Sequence, residues 1–530
     1  MARAAVRRAV AAALALAVPA LRLAFSDGAP PRRGPVVIYL VDTLRFDRMS
    51  AYGARRDTTP AARRLADEGV RYDVAYSVAT WTRPAVASLL TSRPPAEVEA
   101  IERTGVLARG IPTIAEIFRR AGARTASFSA NPNIFSPGLG FERGFDTFEG
   151  IKEPPSELAP GDRVADAAIR WIDAQPDGNF LVFVHVVDPH APYDHFRKGY
   201  REMFPVPARP KGSDDRRLAE YDGLVRQSDD QFARIRTALE RKRFWDGALV
   251  VYLADHGEQF FEHGGEFHGD TLFEETLRIP LIVRAPGWGR PGSTVDEPVS
   301  ILDILPSAAH WAGLPPDGRW AGQRIDRAAP RERELYYSEE LDGARLYGLR
   351  RGRRKVIVSM NPPFRIEFDL ARDPGEQRPR DAGTDLAQRV ERLRAREIMY
   401  YGGLWIHRTG ADPLRLFGTV RDVDPAAPFL IWGDRDRIPT DLSRPDTVDL
   451  DRTLARNEPF QLRITRFGYG SSLPRASLFV EENGVTRPVP ETASPGIPVE
   501  VLRREMTTLS EGEQTEIVKK MRALGYLGGN

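Results

Sequence analysis

Residues 36–42 read VVIYLVD, an unbroken apolar run that is mostly β-branched and is closed by an aspartate. A short run of this kind with no polar face describes a strand buried on both sides, as strands are inside a parallel sheet. Working outward, the same pattern recurs in TASFSA (125–130), FLVFVHVVD (180–188), ALVVYLAD (248–255) and PLIVRAP (280–286). Helical patterns lie between them: PAARRLADEG (60–69), TIAEIFRRAG (113–122) and the long AEYDGLVRQSDDQFARIRTALERKRF (219–244). Buried strands alternating with helices predict an α/β fold, a mostly parallel sheet sandwiched by helices. Sites in such a fold form at the carboxyl ends of strands, which is where Asp42, Asp188 and Asp255 fall.

The pattern predicts a large domain over residues 35–401. From about Gly402 short alternating segments and frequent prolines take over, among them QLRITRFG (461–468) and ASLFVEENGVTRPV (476–489) with its Asn483-Gly484 hairpin signal. Residues 402–505 therefore read as a small β-rich accessory domain. Residues 506–530 read as a docking helix, with Ser510 and Glu513 as a capping box and Gly525 as the stop. At the other end, basic residues precede an uncharged apolar run from Ala9 to Leu21, too short for a spanning helix of about 20 residues. Residues 1–34 read as a signal peptide or a membrane anchor, so the expected location is exported, periplasmic or extracellular, or anchored facing outward, with membrane association through this segment.

Composition removes several classes of function. The chain of 530 residues has no cysteine, which excludes disulfides, thiolate metal sites and a cysteine nucleophile. A formal net charge of +2 gives no support to a nucleic-acid partner. There is no phosphate-binding glycine loop, no dinucleotide fingerprint and no H-E-x-x-H zinc helix. Oligomeric state is not encoded in any visible pattern.

Chemistry concentrates in the histidines, of which six of eight fall between His185 and His268. In LADHGE a strand ends in Asp255 and His256, a pair able to converge on one metal where the chain turns. On these residues alone the plainer reading, a capping aspartate and a surface histidine, stands ahead, and Asp42 has the same ambiguity. In TWTRPAVASLLTSRPP (80–95) a helix over Ala85–Thr91 puts Thr82 at an exposed helix mouth, where it is either a cap or a nucleophile. His185 reads as a satisfied core histidine, His263 as a rim contact, His195 as following a loop signal, and His310 and His407 as structural. Arg45 and Arg83 are candidate anion-binding residues, equally readable as packed side chains. Glu258, Glu262 and Glu266, four apart, suggest an exposed helical face.

Four stretches taken in order, VVIYLVDTLRFDRMSAYG (36–53), TWTRPAVASLLTSRPP, FVHVVDPHAPY (183–193) and YLADHGEQFFEHGGEFHGDTLFEETLRIPLIVRAPG (252–287), resemble the sulfatase family of the alkaline phosphatase superfamily. The resemblance spans about Pro35 to Gln377. It implies a metal-assisted transfer at sulfur or phosphorus of an anionic ester substrate, through a covalent intermediate and one divalent metal: Mn, Zn, Mg or Ca. By position, Asp42, Asp255, His256 and Thr82 would contact the metal, Thr82 would be the nucleophile, and His190 and His268 would bind the oxyanion or assist the leaving group. The chain departs from the family pattern at Thr82, where a Cys or Ser is oxidised to formylglycine. Threonine would give a ketone, and Val86 stands where the family has a supporting Arg. Thr43 replaces the second Asp of an Asp-Asp pair, and His256 replaces an Asn, which shifts metal preference from calcium toward manganese or zinc. These departures favour phosphoryl or phosphonyl chemistry on Thr82; the alternatives are a true sulfuric ester hydrolase, a membrane-associated phosphoryl transferase and a non-catalytic anion-binding homologue.

Overall fold

The computed structural model describes residues 34–504, apart from 102–104, 137, 152–158, 207–212, 342–345, 361–362, 383, 398–402, 409–411, 422–428, 433–447, 457–460, 466–474 and 491–498. The leader (1–34, of which only Gly34 is described) and the tail helix (506–530) expected from the sequence lie outside the described residues. No helix among the described residues is long and apolar enough to cross a membrane.

The central sheet is built on β1 (Val36–Val41), every residue of which is buried, as its unbroken apolar run requires. Its other strands are β2 (Val70–Tyr76), β3 (Arg124–Ser129), β4 (Thr147–Gly150), β5 (Phe180–Val186) and β6 (Leu249–Ala254). A short hairpin, β7 (Gln259–Phe260) and β8 (Glu266–Phe267), separates these from β9 (Arg278–Arg284), β10 (Ser293–Val295) and β11 (Val299–Ser300). The sheet order is β10-β2-β9-β6-β1-β5-β3-β4, with β11 also on β2. From β6 through β4 all pairs are parallel, whereas β9 runs antiparallel to both β6 and β2.

Two helical layers cover the sheet. One comprises α1 (Pro60–Glu68), α4 (Pro160–Ala174) and α5 (Ser213–Arg241); the other comprises α2 (Thr82–Thr91), α3 (Ile114–Arg120) and α6 (Ile304–Trp311), the members of each layer packing on one another. Tyr39 and Tyr252, neighbours across β1 and β6, both pack on Phe232 of α5, and the Tyr39 hydroxyl donates to Ser228 O at 2.7 Å. Because β1, β5 and β6 end at the same level, their last residues and the loops after them share one rim.

An antiparallel sheet over residues 334–381 follows, formed by β12 (Glu334–Glu339), β13 (Leu346–Arg351), β14 (Arg354–Met360), β15 (Pro363–Asp369) and β16 (Arg380–Asp381). The sequence reading placed the onset of β structure later, at Gly402; the arginine-rich segment RLYGLRRGRRKVIV (345–358) hides its alternation. Residues 403–504 then form two four-stranded sheets among the described residues, and Ile406 and Val499 of one share a core with Leu416, Leu450 and Val480 of the other. Asn483 and Gly484 join two of these strands with φ of 51° and 76°, the left-handed pair that such a hairpin turn needs.

The 334–381 sheet is locked to the loop behind the site by buried charge. Lys355 Nζ, wholly buried, lies 3.0 Å from Glu274 Oε1 and 2.9 Å from Glu376 Oε1. Lys355→Ala strips a counter-charge from two buried glutamates and should lower stability by about 3–5 kcal/mol in urea unfolding. A Lys355→Arg variant should recover part of that loss.

Candidate active site

Asp42 follows β1 and Asp255 follows β6, so the parallel pairing of these strands sets the two carboxylates side by side. Backbone and side-chain donors hold each of them by one oxygen. Asp255 Oδ1 accepts from the backbone N–H groups of His256 (2.9 Å) and Thr43 (3.3 Å). Thr43 reaches it from a φ of 57°, a strained conformation for a β-branched residue, of the kind that marks functional turns. Asp42 Oδ2 accepts from Asn131 Nδ2, with His185 Nε2 at 3.4 Å and Thr82 Oγ1 at 3.5 Å. The second oxygens, Asp42 Oδ1 and Asp255 Oδ2, are buried and have no hydrogen-bond partner among the described residues.

His256 completes the set. Its Nδ1–H donates to Gly257 O at 2.9 Å, which leaves the Nε2 lone pair facing inward, 3.4 Å from Asp255 Oδ2 and 3.7 Å from Asp42 Oδ1. Ligand atoms from Asp42, Asp255 and His256 lie within 4.8 Å of one another, all buried. Two orphaned carboxylate oxygens and one imidazole lone pair converging on a point are the donor set of a divalent cation. Electrostatics agree. Burial, reinforced by the Asp42 charge, pushes the Asp255 carboxyl far above its ordinary range. Burial acts against Asp42 as well, but His185, His190 and His256 outweigh it and hold that carboxyl far below. Two adjacent buried carboxylates cannot both ionise at neutral pH unless a cation lies between them. Burial, with His268 adding to it, drives the His256 imidazole well down and so keeps it neutral, as a ligand must be.

Gly257 sets the angle of this turn. Its N–H donates to Thr276 O at 2.8 Å, and a β-carbon on it would sit 2.0 Å from Glu275 O. Gly257→Ala should displace His256 and weaken metal affinity about 10–100-fold, read by calorimetric titration of the metal-free protein.

Thr82 is the first residue of α2, which starts three residues earlier than the sequence predicted, and at 1% exposure it is not at an open mouth but inside the site. Its side chain does not cap the helix. Instead Oγ1 lies 3.4 Å from His256 Nε2 and accepts from Asn131 Nδ2 at 3.3 Å. The positive end of α2 lies behind it.

His190 and His268 stand together above this floor. Their ring centroids are 5.0 Å apart, and the His268 ring is 4.5 Å from that of His256. Burial lowers the His190 imidazole, whose Nδ1–H is committed to Ala191 O at 2.6 Å. Burial pulls His268 down too, but the Glu258 carboxylate, 2.8 Å from its Nδ1, wins and raises it. One neutral and one charge-favouring imidazole therefore face each other.

Arg45 and Arg83 are turned to other partners. The Arg45 guanidinium is held by Asp47 at 2.8 and 2.9 Å, Glu262 at 2.5 Å and Glu258 O at 3.0 Å. Arg83, wholly buried, donates to Asn133 O at 3.1 Å and Gly105 O at 3.2 Å. Both act as packed cross-links in this arrangement. Glu258, Glu262 and Glu266 do not form a helical face: they lie on the β7–β8 hairpin, where Gly264 at φ 80° turns the chain, and Glu258 is buried. His185, read as a core histidine, is buried against Asp42. Asn131, at the end of β3, was not singled out; its only signal was its place in ANPNIF after a buried strand. Asp188 lies two residues past β5 and bonds to Gln227 and Gln231 of α5 rather than to the other two aspartates. His263 bonds Glu275 at 2.7 Å, and His310 lies 3.8 Å from Asp326.

The family model described as Sulfatase matches residues 35–314, more than half of the chain. The chain belongs to the sulfatase family. This sulfatase-family chain is a hydrolase of a metal-dependent family, and its Asp42, Asp255 and His256 can hold a metal ion. It is similar to a choline-sulfatase of Rhizobium meliloti (strain 1021), 24% identical over 420 residues that cover 64% of this chain and 81% of the relative. It is also similar to an arylsulfatase of Hemicentrotus pulcherrimus, 24% identical over 67% of this chain and 79% of the relative. Its fold is shared by the phosphonate monoester hydrolase of Agrobacterium radiobacter, with a TM-score of 0.58 at 20% identity, over 69% of this chain and 96% of that one.

Proposed function

We propose that this hydrolase cleaves phosphate- or phosphonate-type esters through a covalent intermediate on Thr82, with one divalent metal held by Asp42, Asp255 and His256. The observation that carries this reading is the place of the Thr82 hydroxyl, 3.4 Å from His256 Nε2 and 3.5 Å from Asp42 Oδ2. Bound there, the cation supplies Lewis-acid neutralisation of the nonbridging oxygens and eases ionisation of a nearby hydroxyl. Thr82 Oγ1, its proton released to solvent as the hydroxyl ionises, attacks phosphorus in line. As the bond to the leaving oxygen breaks, His268 donates a proton to that oxygen from Nε2. In the second step water attacks phosphorus, giving a proton to His190, whose Nδ1–H is held by Ala191 O. The P–Oγ1 bond breaks, leaving Oγ1 ionised as it began, and the proton taken by His190 passes through solvent to the neutral His268, which restores both imidazoles.

A metal site of two carboxylates and one imidazole favours manganese or zinc over calcium. The names of the relatives favour a second reading, in which sulfate esters are the substrates. Threonine, however, offers no route to the aldehyde of a formylglycine. Matched aryl sulfate, phosphate monoester, phosphodiester and phosphonate substrates, each with Mn, Zn, Mg or Ca, separate the two. Faster turnover of a phosphorus ester is expected; faster turnover of the aryl sulfate would establish the second reading, and no turnover would point to an acceptor-dependent transferase or a binding protein. The apolar segment before residue 34 supports export or outward-facing anchoring, checked by the N-terminal sequence of the mature protein and its fractionation.

A further inference from the structure

The loop His190–Tyr193 delivers one histidine to the site directly, and its last residue reaches the other. Tyr193 takes a φ of 62°, a left-handed backbone that a tyrosine adopts only when its surroundings impose it. Its ring packs on Tyr221, at 6.2 Å between centroids, and on Phe260, at 5.7 Å, and Tyr221 is itself fixed by donating to Thr43 O at 2.7 Å. From this box the Tyr193 hydroxyl donates to Glu258 Oε2 at 3.0 Å. The other oxygen, Glu258 Oε1, accepts from His268 Nδ1 at 2.8 Å. Glu258 is wholly buried, so its carboxylate has no water to turn toward. Its backbone is pinned as well, N–H to Glu275 O at 3.0 Å and C=O to Arg45 at 3.0 Å.

We infer that Tyr193 and Glu258 are positioning residues for proton delivery: Tyr193 fixes the rotamer of Glu258, and Glu258 fixes the tautomer and plane of His268 so that its Nε2–H faces the leaving oxygen. The inference rests on the proposed role of His268. When the bond to the leaving oxygen breaks, the Nε2 proton moves to that oxygen and the imidazole is left neutral, still holding Nδ1–H on Glu258. The same loop thereby orients the proton donor for the first step and His190, the acceptor for the second.

Proton delivery matters in proportion to the basicity of the leaving group, whereas a loss of packing does not. The test is kcat/KM of the full chain with its metal across esters of one acid with leaving groups from nitrophenol to an unactivated alcohol, for wild type, Tyr193→Phe, Glu258→Gln and His268→Gln. His268→Gln is expected to steepen the leaving-group dependence, losing about 10²–10⁴-fold on the alkyl ester and far less on the nitrophenyl ester. Tyr193→Phe, which keeps the ring and its packing, is expected to lose about 3-fold on the nitrophenyl ester and about 30-fold on the alkyl ester, with Glu258→Gln between it and the histidine variant. A uniform loss across the series in Tyr193→Phe, while His268→Gln still steepens it, would overturn the positioning role and leave the proposed function standing. An unchanged slope in His268→Gln would overturn the proposed role of His268 and this inference with it.

Discussion

Thr82→Ala should reduce turnover of the preferred ester by at least about 10³-fold, with substrate binding and metal content close to wild type, because removal of a nucleophile leaves only the stabilisation supplied by the rest of the site. The cost to folding should be small: alanine is the better helix former, and the side-chain bond forfeited is the long 3.3 Å one from Asn131 Nδ2, which also donates to Asp42. Thr82→Ser restores Oγ where Asn131 and Asp42 can meet it and should recover activity to within about 10-fold of wild type. The two variants together separate a nucleophile from a buried polar contact. A contact role would make alanine and serine differ by no more than the value of one neutral hydrogen bond, about 1 kcal/mol or less than 10-fold. Steady-state kinetics on the best ester of the panel, with metal content measured on the same samples, reads the result.

Asp255→Asn should have opposite effects with and without metal. In the wild type, two buried carboxylates face each other, and burial beside Asp42 keeps the proton on Asp255. Folding the metal-free wild type is therefore hindered as pH rises past the ordinary aspartate value of about 3.9, because the folded chain must retain a proton on Asp255 that the unfolded chain releases. Asparagine removes that contribution, so the metal-free variant should be at least as stable as wild type at neutral pH. With metal the order reverses. Wild type at a free metal concentration of 100 times its dissociation constant gains about 2.7 kcal/mol, and the variant, missing one ligand, should gain little. Activity in the variant should fall at least about 10²-fold. Urea unfolding of both proteins, with chelator and with excess manganese, shows the crossing; a variant less stable than wild type in chelator would assign Asp255 a structural role instead.

What could be read in the residues follows from how the physics is encoded. The strands β1, β5 and β6 are legible because burial on both faces leaves no polar residue to interrupt them, and that also makes the aspartates after β1 and β6 conspicuous. By contrast β2 carries Arg71 and Asp73, whose charges pair with each other at 2.6 Å, and it shows no continuous apolar run. The reversed direction of β9 has no local signature, since a strand buried on both faces reads alike in either orientation. Within the site, Asp42, Asp255, His256 and Thr82 could be picked out through the order of their motifs. Asn131 could not, because a lone asparagine after a strand carries no spacing to recognise. The glutamates at 258, 262 and 266 mimic a helical face because four-residue spacing is blind to the glycine pair, Gly264 and Gly265, that turns the hairpin between them. Arg45 beside a site residue in sequence reads as an anion binder, yet the carboxylates that claim it come from the distant Glu262 as well as from Asp47.

The central claim is a covalent bond to Thr82 Oγ1, and the most direct measurement is to quench the full chain with its metal during turnover of the best phosphorus ester, digest it and locate the transferred group by peptide mass spectrometry. A phosphoryl or phosphonyl group on Thr82, accumulating in His190→Ala where hydrolysis of the intermediate is slowed, is the predicted result. An unmodified Thr82 peptide under the same conditions in which His190→Ala still releases the first product in a burst, or a group found on another side chain, would contradict it.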